Sequence, residues 1–282
     1  MARLAALATA VLLVAGLCAR ADELPGVAAR ADCYAACPQL KAATLRRVQL
    51  LHNPGFTVAY DSELREPRWV AYQASALPQH AAASYRHGFF TADSRVIDPV
   101  GPFDYRGSGY DRGHLAPAFL LTALYGKTAG DASYLMSNVT PQRAHFNRLL
   151  WERLEEAEAH KMARDAGTLW VLAGPVFGNP VARTLRGVAI PVAFFRIWLA
   201  TDVSSRQPRA CAFIVPQQVR GDEPLTDFVT TVDAVEARTG LDFFAAMESH
   251  LQTALEASLP DDRWPLAAIA NWPARYAGEA LP

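Results

Sequence analysis

The stretch Tyr110-Asp111-Arg112-Gly113-His114-Leu115-Ala116-Pro117 constrains this chain more than any other. Four adjacent residues supply a carboxylate, a guanidinium, a glycine and an imidazole. Arg112 offers a planar fork that fits a phosphate. Gly113 permits a sharp bend or a close backbone approach, and His114 exchanges a proton near neutral pH. The set suits phosphodiester chemistry, and it also suits an ordinary charged turn. A chain that uses it for chemistry must supply a metal ligand, a helix to carry that ligand and phosphate-binding neighbours.

Two later positions meet that demand. Asn138 closes the strand-like run Tyr134 to Val139, and Asn147 stands near the start of an amphipathic helix expected over Phe146 to Arg164, with Glu155 further along it. Steps of four residues on a helix rotate by only about 40°, so positions 147, 151 and 155 share one side. Eight residues rise about 12 Å. Glu155 therefore leans back toward Asn147 and acts through a water, an arrangement that suits Mg²⁺, which keeps several waters and takes one or two protein oxygens. The chemistry that follows is metal-assisted hydrolysis. His114 would deprotonate a water, Mg²⁺ on Asn147 would bind a non-bridging oxygen, and Arg112 would offset charge on the phosphoryl group. Asn138 would orient a loop or the imidazole. Taken singly these residues say less: Asn147 is a helix-start residue, Glu155 a solvated face, and His87, His145 and His160 surface histidines. Asp111 is expected to brace the turn. Arg86 and Arg95 read equally as loop charges or phosphate contacts.

The rest of the chain sets the frame. A hydrophobic share of 51% against 20% charged residues describes a globular chain with a sizeable core. The net charge of −1 excludes a global basic field. Arg3, the apolar run Leu4 to Leu17 and Ala19-Arg20-Ala21 form a secretory-type leader, with cleavage expected after Ala21 and a secreted or periplasmic product; a mitochondrial presequence is the runner-up. Without Arg3 and Arg20 the chain keeps 25 of its 27 basic residues against 28 acidic ones. Cys33 and Cys37 are spaced to bridge, and Cys211 reads as a buried thiol. A lead-in over 22–44 precedes a single domain over 45–282. Paired strands are expected at Phe56 to Tyr60 and Trp69 to Tyr72, and helices at Ala118 to Tyr125 and Thr226 to Thr239. Pro141 is expected in a helix's first turn. Further strands are expected at Leu169 to Ala173, Val188 to Pro191, Phe194 to Ala200 and Ala212 to Val215. The fold class is α+β with an antiparallel-rich sheet flanked by helices.

With these residues assembled, the chain resembles the DNA/RNA non-specific endonucleases, especially the endonuclease G branch. The resemblance runs through Tyr105 to Ala116, Ser137 to Gln142, His145, Asn147, Trp151, Leu154 and Glu155. It continues in Gly174 to Phe177, Ile190-Pro191, Ala212 to Pro216 and Val232 to Phe244. It implies a ββα-metal (His-Me finger) nuclease fold and Mg²⁺-dependent cutting of DNA and RNA to 5′-phosphate ends, with Mn²⁺ as a substitute metal. His114 would be the general base, Asn147 the direct metal ligand and Glu155 the residue ordering the metal's waters. Arg112 and Asn138 would support phosphate binding and geometry, and Arg86 is the candidate for an upstream phosphate contact. Ala159 departs from relatives that carry a basic residue there; Arg153, Arg164 and His160 are the candidate replacements. Arg196 stands where relatives usually read Lys. The resemblance also leans toward a homodimer and leaves room for an inhibitor or immunity partner. Two other readings compete: a phosphodiesterase of the same fold acting on another diester, and an inactive nucleic-acid-binding module.

Overall fold

The computed structural model describes residues 32–40, 47–79, 88–184, 186–202 and 205–275. The leader expected over 1–21, Arg86 and His87 lie outside them. Among the described residues no helix is long and apolar enough to cross a membrane.

The strands, in chain order, are β1 (Gln39–Leu40), β2 (Val48–Asn53), β3 (Phe56–Asp61), β4 (Glu66–Ser75), β5 (Asp111–His114) and β6 (Val139–Gln142). They continue with β7 (Thr168–Arg183), β8 (Ala189–Thr201), β9 (Pro208–Pro216), β10 (Val229–Thr230) and β11 (Leu241–Asp242). The helices are α1 (Ala118–Tyr125), α2 (Lys127–Ser133), α3 (residues 146–166), α4 (Val232–Thr239), α5 (Ser249–Ala257) and α6 (Leu266–Ile269). Seven strands form one sheet in the order β10-β9-β8-β7-β4-β3-β2, each paired antiparallel to its neighbour. The expected α+β class with an antiparallel-rich sheet is what the chain adopts.

Side-chain alternation explains why this sheet is covered on both faces. In β8, Phe194 and Trp198 point into one core with Val171 and Tyr72, while Phe195, Ile197 and Leu199 point into a second with Leu172 and Ala71. The first core is closed by α1 and α3, through Leu120, Leu121, Leu150 and Leu154. The second is closed by Val232 and Val235 of α4 and by the lead-in, where Cys33 and Cys37 are bridged. Cys211 is a buried free thiol, its pKa raised by burial.

Four expectations differ, the first three for a local reason. Residues 136–138 are a 3-10 turn, and the strand begins only at Val139, because the Asn138 side chain bonds backbone groups and competes with the ladder. Pro141 lies within β6, opposite Arg112, not at a helix start; in a two-stranded ribbon its missing N–H can face outward. The helix expected from Thr226 begins at Val232. Thr231 caps it by accepting from the Ala234 N–H at 3.2 Å, and the β-branched Val229 and Thr230 pair with β9 instead. The strands expected apart at Val188 to Pro191 and Phe194 to Ala200 merge into β8.

The β3–β4 hairpin carries a buried charge problem. Glu66 is fully buried, with the Tyr105 hydroxyl as its polar neighbour. Burial pushes its pKa well above the ordinary 4.5, and Tyr105 opposes this; the Tyr105 hydroxyl also lies 3.3 Å from the Val139 carbonyl. A carboxyl whose folded pKa is raised binds more protons folded than unfolded, so stability is complete below about pH 4.5 and falls as pH rises. Glu66→Gln is expected to flatten this decline and to be the more stable chain at neutral pH. Urea unfolding across pH checks it; parallel curves for the two chains would refute it.

Candidate active site

β5 and β6 form a separate two-stranded ribbon, in which His114 pairs with Val139 and Gly113 with Thr140. Gly113 has a steric reason to be glycine. A Cβ there would lie 2.0 Å from Oε1 of Gln142, whose side chain is fully buried and cannot swing clear. The ribbon's end is fixed by Asn138, also fully buried. Its Oδ1 accepts from the Ala116 N–H at 3.0 Å, and its Nδ2 donates to the carbonyls of Ala116 and Ser133. Asn138 thus anchors the chain leaving His114. All of these bonds run to backbone groups of Ala116 and Ser133. The imidazole is held between two rings, Tyr134 edge-on with centroids 4.8 Å apart and Phe90 at 5.1 Å.

α3 carries the other half of the site, and its geometry refines the simple helical reading. Residues Phe146–Trp151 and Glu158–Met162 are π turns, with α-helix over Glu152–Ala157 between them. An α-helix advances about 100° per residue and a π turn roughly 80°. A four-residue step therefore drifts in opposite senses in the two forms. The step from Asn147 to Trp151 and the step from Trp151 to Glu155 nearly cancel, which puts Asn147 and Glu155 on one line along the helix.

Asp111 ties the ribbon to this helix. Its carboxylate accepts from Asn147 Nδ2 at 3.0 Å and from Arg148 Nε and Nη2, both at 2.8 Å. Its expected part, bracing its own turn, is thus replaced by a link across the site. With its amide nitrogen committed to Asp111, Asn147 keeps its carbonyl oxygen for another partner.

His114, Asn147 and Glu155 line a single cavity of about 300 Å³, together with Arg148, Glu152 and Arg275. Glu155, one-fifth exposed at the wall, accepts from Arg196 Nη2 at 3.2 Å. Burial pushes its pKa up to about 8; Arg196 counters this, while Glu158 and Glu152 add to it. Glu152 is likewise raised to about 7, chiefly by burial. The pocket therefore offers hard oxygen donors and an acidic balance that a cation would relieve, so the residues present fit a hydrated divalent ion. A second acidic cluster, Asp233, Glu236 and Glu256, has its ligand atoms within 4.8 Å of one another. It lies on the α4 side of the sheet, away from the cavity, and Glu236 accepts from the Phe243 N–H.

Arg112 is exposed and stacks over Phe90 at 4.8 Å. The three candidate replacements for a basic residue at Ala159 are placed elsewhere. Arg153 is buried and donates to four carbonyls, those of Gly221, Glu223, Ala270 and Trp272. His160 pairs with Glu156, and Arg164 with Asp165 at the surface. Arg275 lines the cavity that Ala159 also lines; its backbone N–H bonds Glu152, and its guanidinium bonds Glu156 and lies over Phe119 at 4.9 Å. Arg95 is a loop brace, bonded to Asp93, Asn53 and the His52 carbonyl. Phe90, Tyr134, Arg148 and Arg275 carry no local sequence signal; of these only Arg148, adjacent to Asn147, could have been suspected.

The profile of the DNA/RNA non-specific endonuclease family matches residues 39–250. The chain is 28% identical over 260 residues to a nuclease of Serratia marcescens, covering 89% of this chain and 92% of that protein. It is 30% identical over 222 residues to a nuclease of Syncephalastrum racemosum, covering 71% and 68%. Against the human mitochondrial nuclease EXOG it is 30% identical, covering 68% of this chain and 55% of that protein. The crystal structure of the EndoG/EndoGI complex contains a similar fold, with a TM-score of 0.61 and 23% identity over 71% of this chain and 86% of that one. These relatives overturn the secreted or periplasmic expectation. Matches from human, Schizosaccharomyces pombe and Saccharomyces cerevisiae are named as mitochondrial nucleases, so an apolar leader does not assign an exported product here.

Proposed function

The chain belongs to the DNA/RNA non-specific endonuclease family and is a nuclease, and from that premise we propose that it is Mg²⁺-dependent, with His114 as general base and 5′-phosphate ends on its products. One observation carries the proposal: a single cavity brings His114 of the β5–β6 ribbon to Asn147 and Glu155 of α3. A phosphodiester in this mouth would meet Arg112 at the ribbon's exposed edge, where a guanidinium can offset phosphoryl charge. His114 takes the proton of a water attacking phosphorus, and its ring, pinned by Tyr134 and Phe90, keeps a fixed aim. Asn147 Oδ1 would hold the cation directly and Glu155 through a water, and the bound ion would supply charge stabilisation for the departing oxygen. Asp111 and Asn138 hold the two halves in register. Departure of the 3′ oxygen leaves the phosphate on the 5′ side. Because nothing in this set reads a base edge, cutting is indifferent to sequence. Leu51 to Ile269 share one core cluster, which supports taking residues 45–282 as one nuclease domain.

Titration with Mg²⁺ after EDTA treatment tests the metal. Cleavage of plasmid DNA and of RNA is expected to vanish in EDTA and to return with Mg²⁺, and Mn²⁺ to restore part of it. Undiminished cutting in EDTA would remove Asn147 and Glu155 from the mechanism. Hydrolysis of small diesters with no cutting of either nucleic acid would favour the phosphodiesterase reading instead.

A further inference from the structure

The cavity does not end at His114. Phe90 lines it and also lines a second hollow of about 570 Å³, whose wall is formed by Phe103, Arg106, Tyr110 and Arg112. Around this second hollow three aromatic rings are each paired with an arginine. Arg112 lies over Phe90 at 4.8 Å, Arg106 over Phe103 at 5.1 Å and Arg143 over Tyr110 at 5.7 Å. Phe103 is 67% exposed, so its ring has a face left to cover. Two carboxylates of this segment are already engaged: Asp104 by the Gly101 N–H and Arg65, Asp111 by Arg148 and Asn147. Gly107 and Gly109, with φ of 71° and 76°, take left-handed turns between Phe103 and Tyr110, which line the same hollow. In a chain of net charge −1, three arginines interleaved with three rings make a local and unusual surface.

We propose that Phe103–Arg106 and Tyr110–Arg143 form a stacking subsite for unpaired bases of the strand whose phosphate is cut. The inference rests on the nuclease reading of the neighbouring cavity. Every nucleobase has a π face, so rings bind bases without reading sequence, while arginines follow the phosphates and stack on bases in turn. Bases within a duplex are already stacked on one another and cannot lie on Phe103. The groove therefore favours single-stranded DNA or RNA, and duplex ends or gaps over intact duplex.

The test measures KM for an unpaired oligothymidylate and for a perfect duplex of equal length in the wild-type chain, Phe103→Ala and Phe103→Trp. Stacking contributes about 1–3 kcal/mol per base, so Phe103→Ala is expected to raise the single-strand KM about 5–160-fold relative to the duplex KM. Phe103→Trp should keep the wild-type ratio. Leu259→Ala, a change at an exposed apolar residue outside the groove, should leave the ratio untouched. Equal effects on the two substrates, or none, would overturn the subsite. Fluorescence anisotropy of the same oligonucleotides on His114→Ala chains, with and without Phe103→Ala, gives the comparison without turnover. Absence of cleavage would then count against the catalytic reading alone, and the ratio of affinities would still decide the subsite.

Discussion

His114→Ala is expected to lower the single-turnover rate of plasmid cleavage by about 10²–10⁴-fold, the range a positioned general base supplies, with oligonucleotide affinity within about two-fold of wild type on the same reading. Affinity should survive because the chain's phosphate and base contacts are assigned to Arg112 and the groove beyond Phe90, not to the imidazole. Geometry should survive as well. The ribbon is held by the β5–β6 pairing and by Asn138, which bonds the backbone of Ala116 and not the His114 side chain. Deleting the imidazole leaves a gap between Tyr134 and Phe90, and added imidazole should refill it and restore part of the rate. Rescue that follows the unprotonated fraction of the added base would identify proton abstraction as the lost step. A residual rate within five-fold of wild type would move the base elsewhere, and simultaneous loss of binding would make His114 a substrate contact.

The ribbon and the helix differ in how far the sequence discloses them. Asp111 to His114 are adjacent, so the motif announces itself, and Asn147 and Glu155 fall on a periodic apolar pattern that any helix reading finds. What joins them was not legible, because it depends on which elements meet. Asp111 bonds residues 36 and 37 positions away on α3, and local reading could only assign it to its own turn. Arg275 reaches the cavity because Arg153 gathers carbonyls of the C-terminal segment, a long-range contact without a periodic trace. The π turns of α3 leave composition unchanged while realigning Asn147 with Glu155. Strand positions were recovered where β-branched and aromatic residues alternate, as at Phe56 to Tyr60. They failed at residues 134–138, where a buried asparagine spends its amide on the backbone. In the sequence Arg196 reads as a retained charge, but its place emerges only from strand parity: it shares the face of Phe194 and Trp198, and so points into the core.

That placement makes Arg196→Met the substitution with the largest expected cost in stability, about 3–5 kcal/mol, the range for removing one partner of a buried pair. Arg196 is fully buried; its Nη1 donates to Glu158 Oε2 at 2.8 Å and its Nη2 to Glu155 Oε1 at 3.2 Å. The guanidinium stacks over Trp151 at 4.3 Å. Burial works against its charge, but Tyr72, Glu158 and Glu155 outweigh this and hold its pKa above the ordinary value. Glu158 also accepts from Tyr72 at 2.7 Å and from Trp198 Nε1 at 2.7 Å, so methionine would strand a fully enclosed carboxylate that still has two neutral donors but no cation. Adding Glu158→Gln should recover part of the loss, because the amide oxygen keeps an acceptor for Tyr72 or Trp198 without a buried charge. Function should follow a different order. Glu155 loses its hydrogen bond from Arg196 in both the single and the double variant, so both should need several-fold more Mg²⁺ for half-maximal cleavage, whereas Arg196→Lys, which keeps a cation beside Glu155, should need less than either. Urea unfolding gives the first ranking and Mg²⁺ titration the second. If the double variant regained wild-type Mg²⁺ dependence together with stability, Arg196 would be serving the core alone, and the aim of Glu155 would have to come from α3 itself.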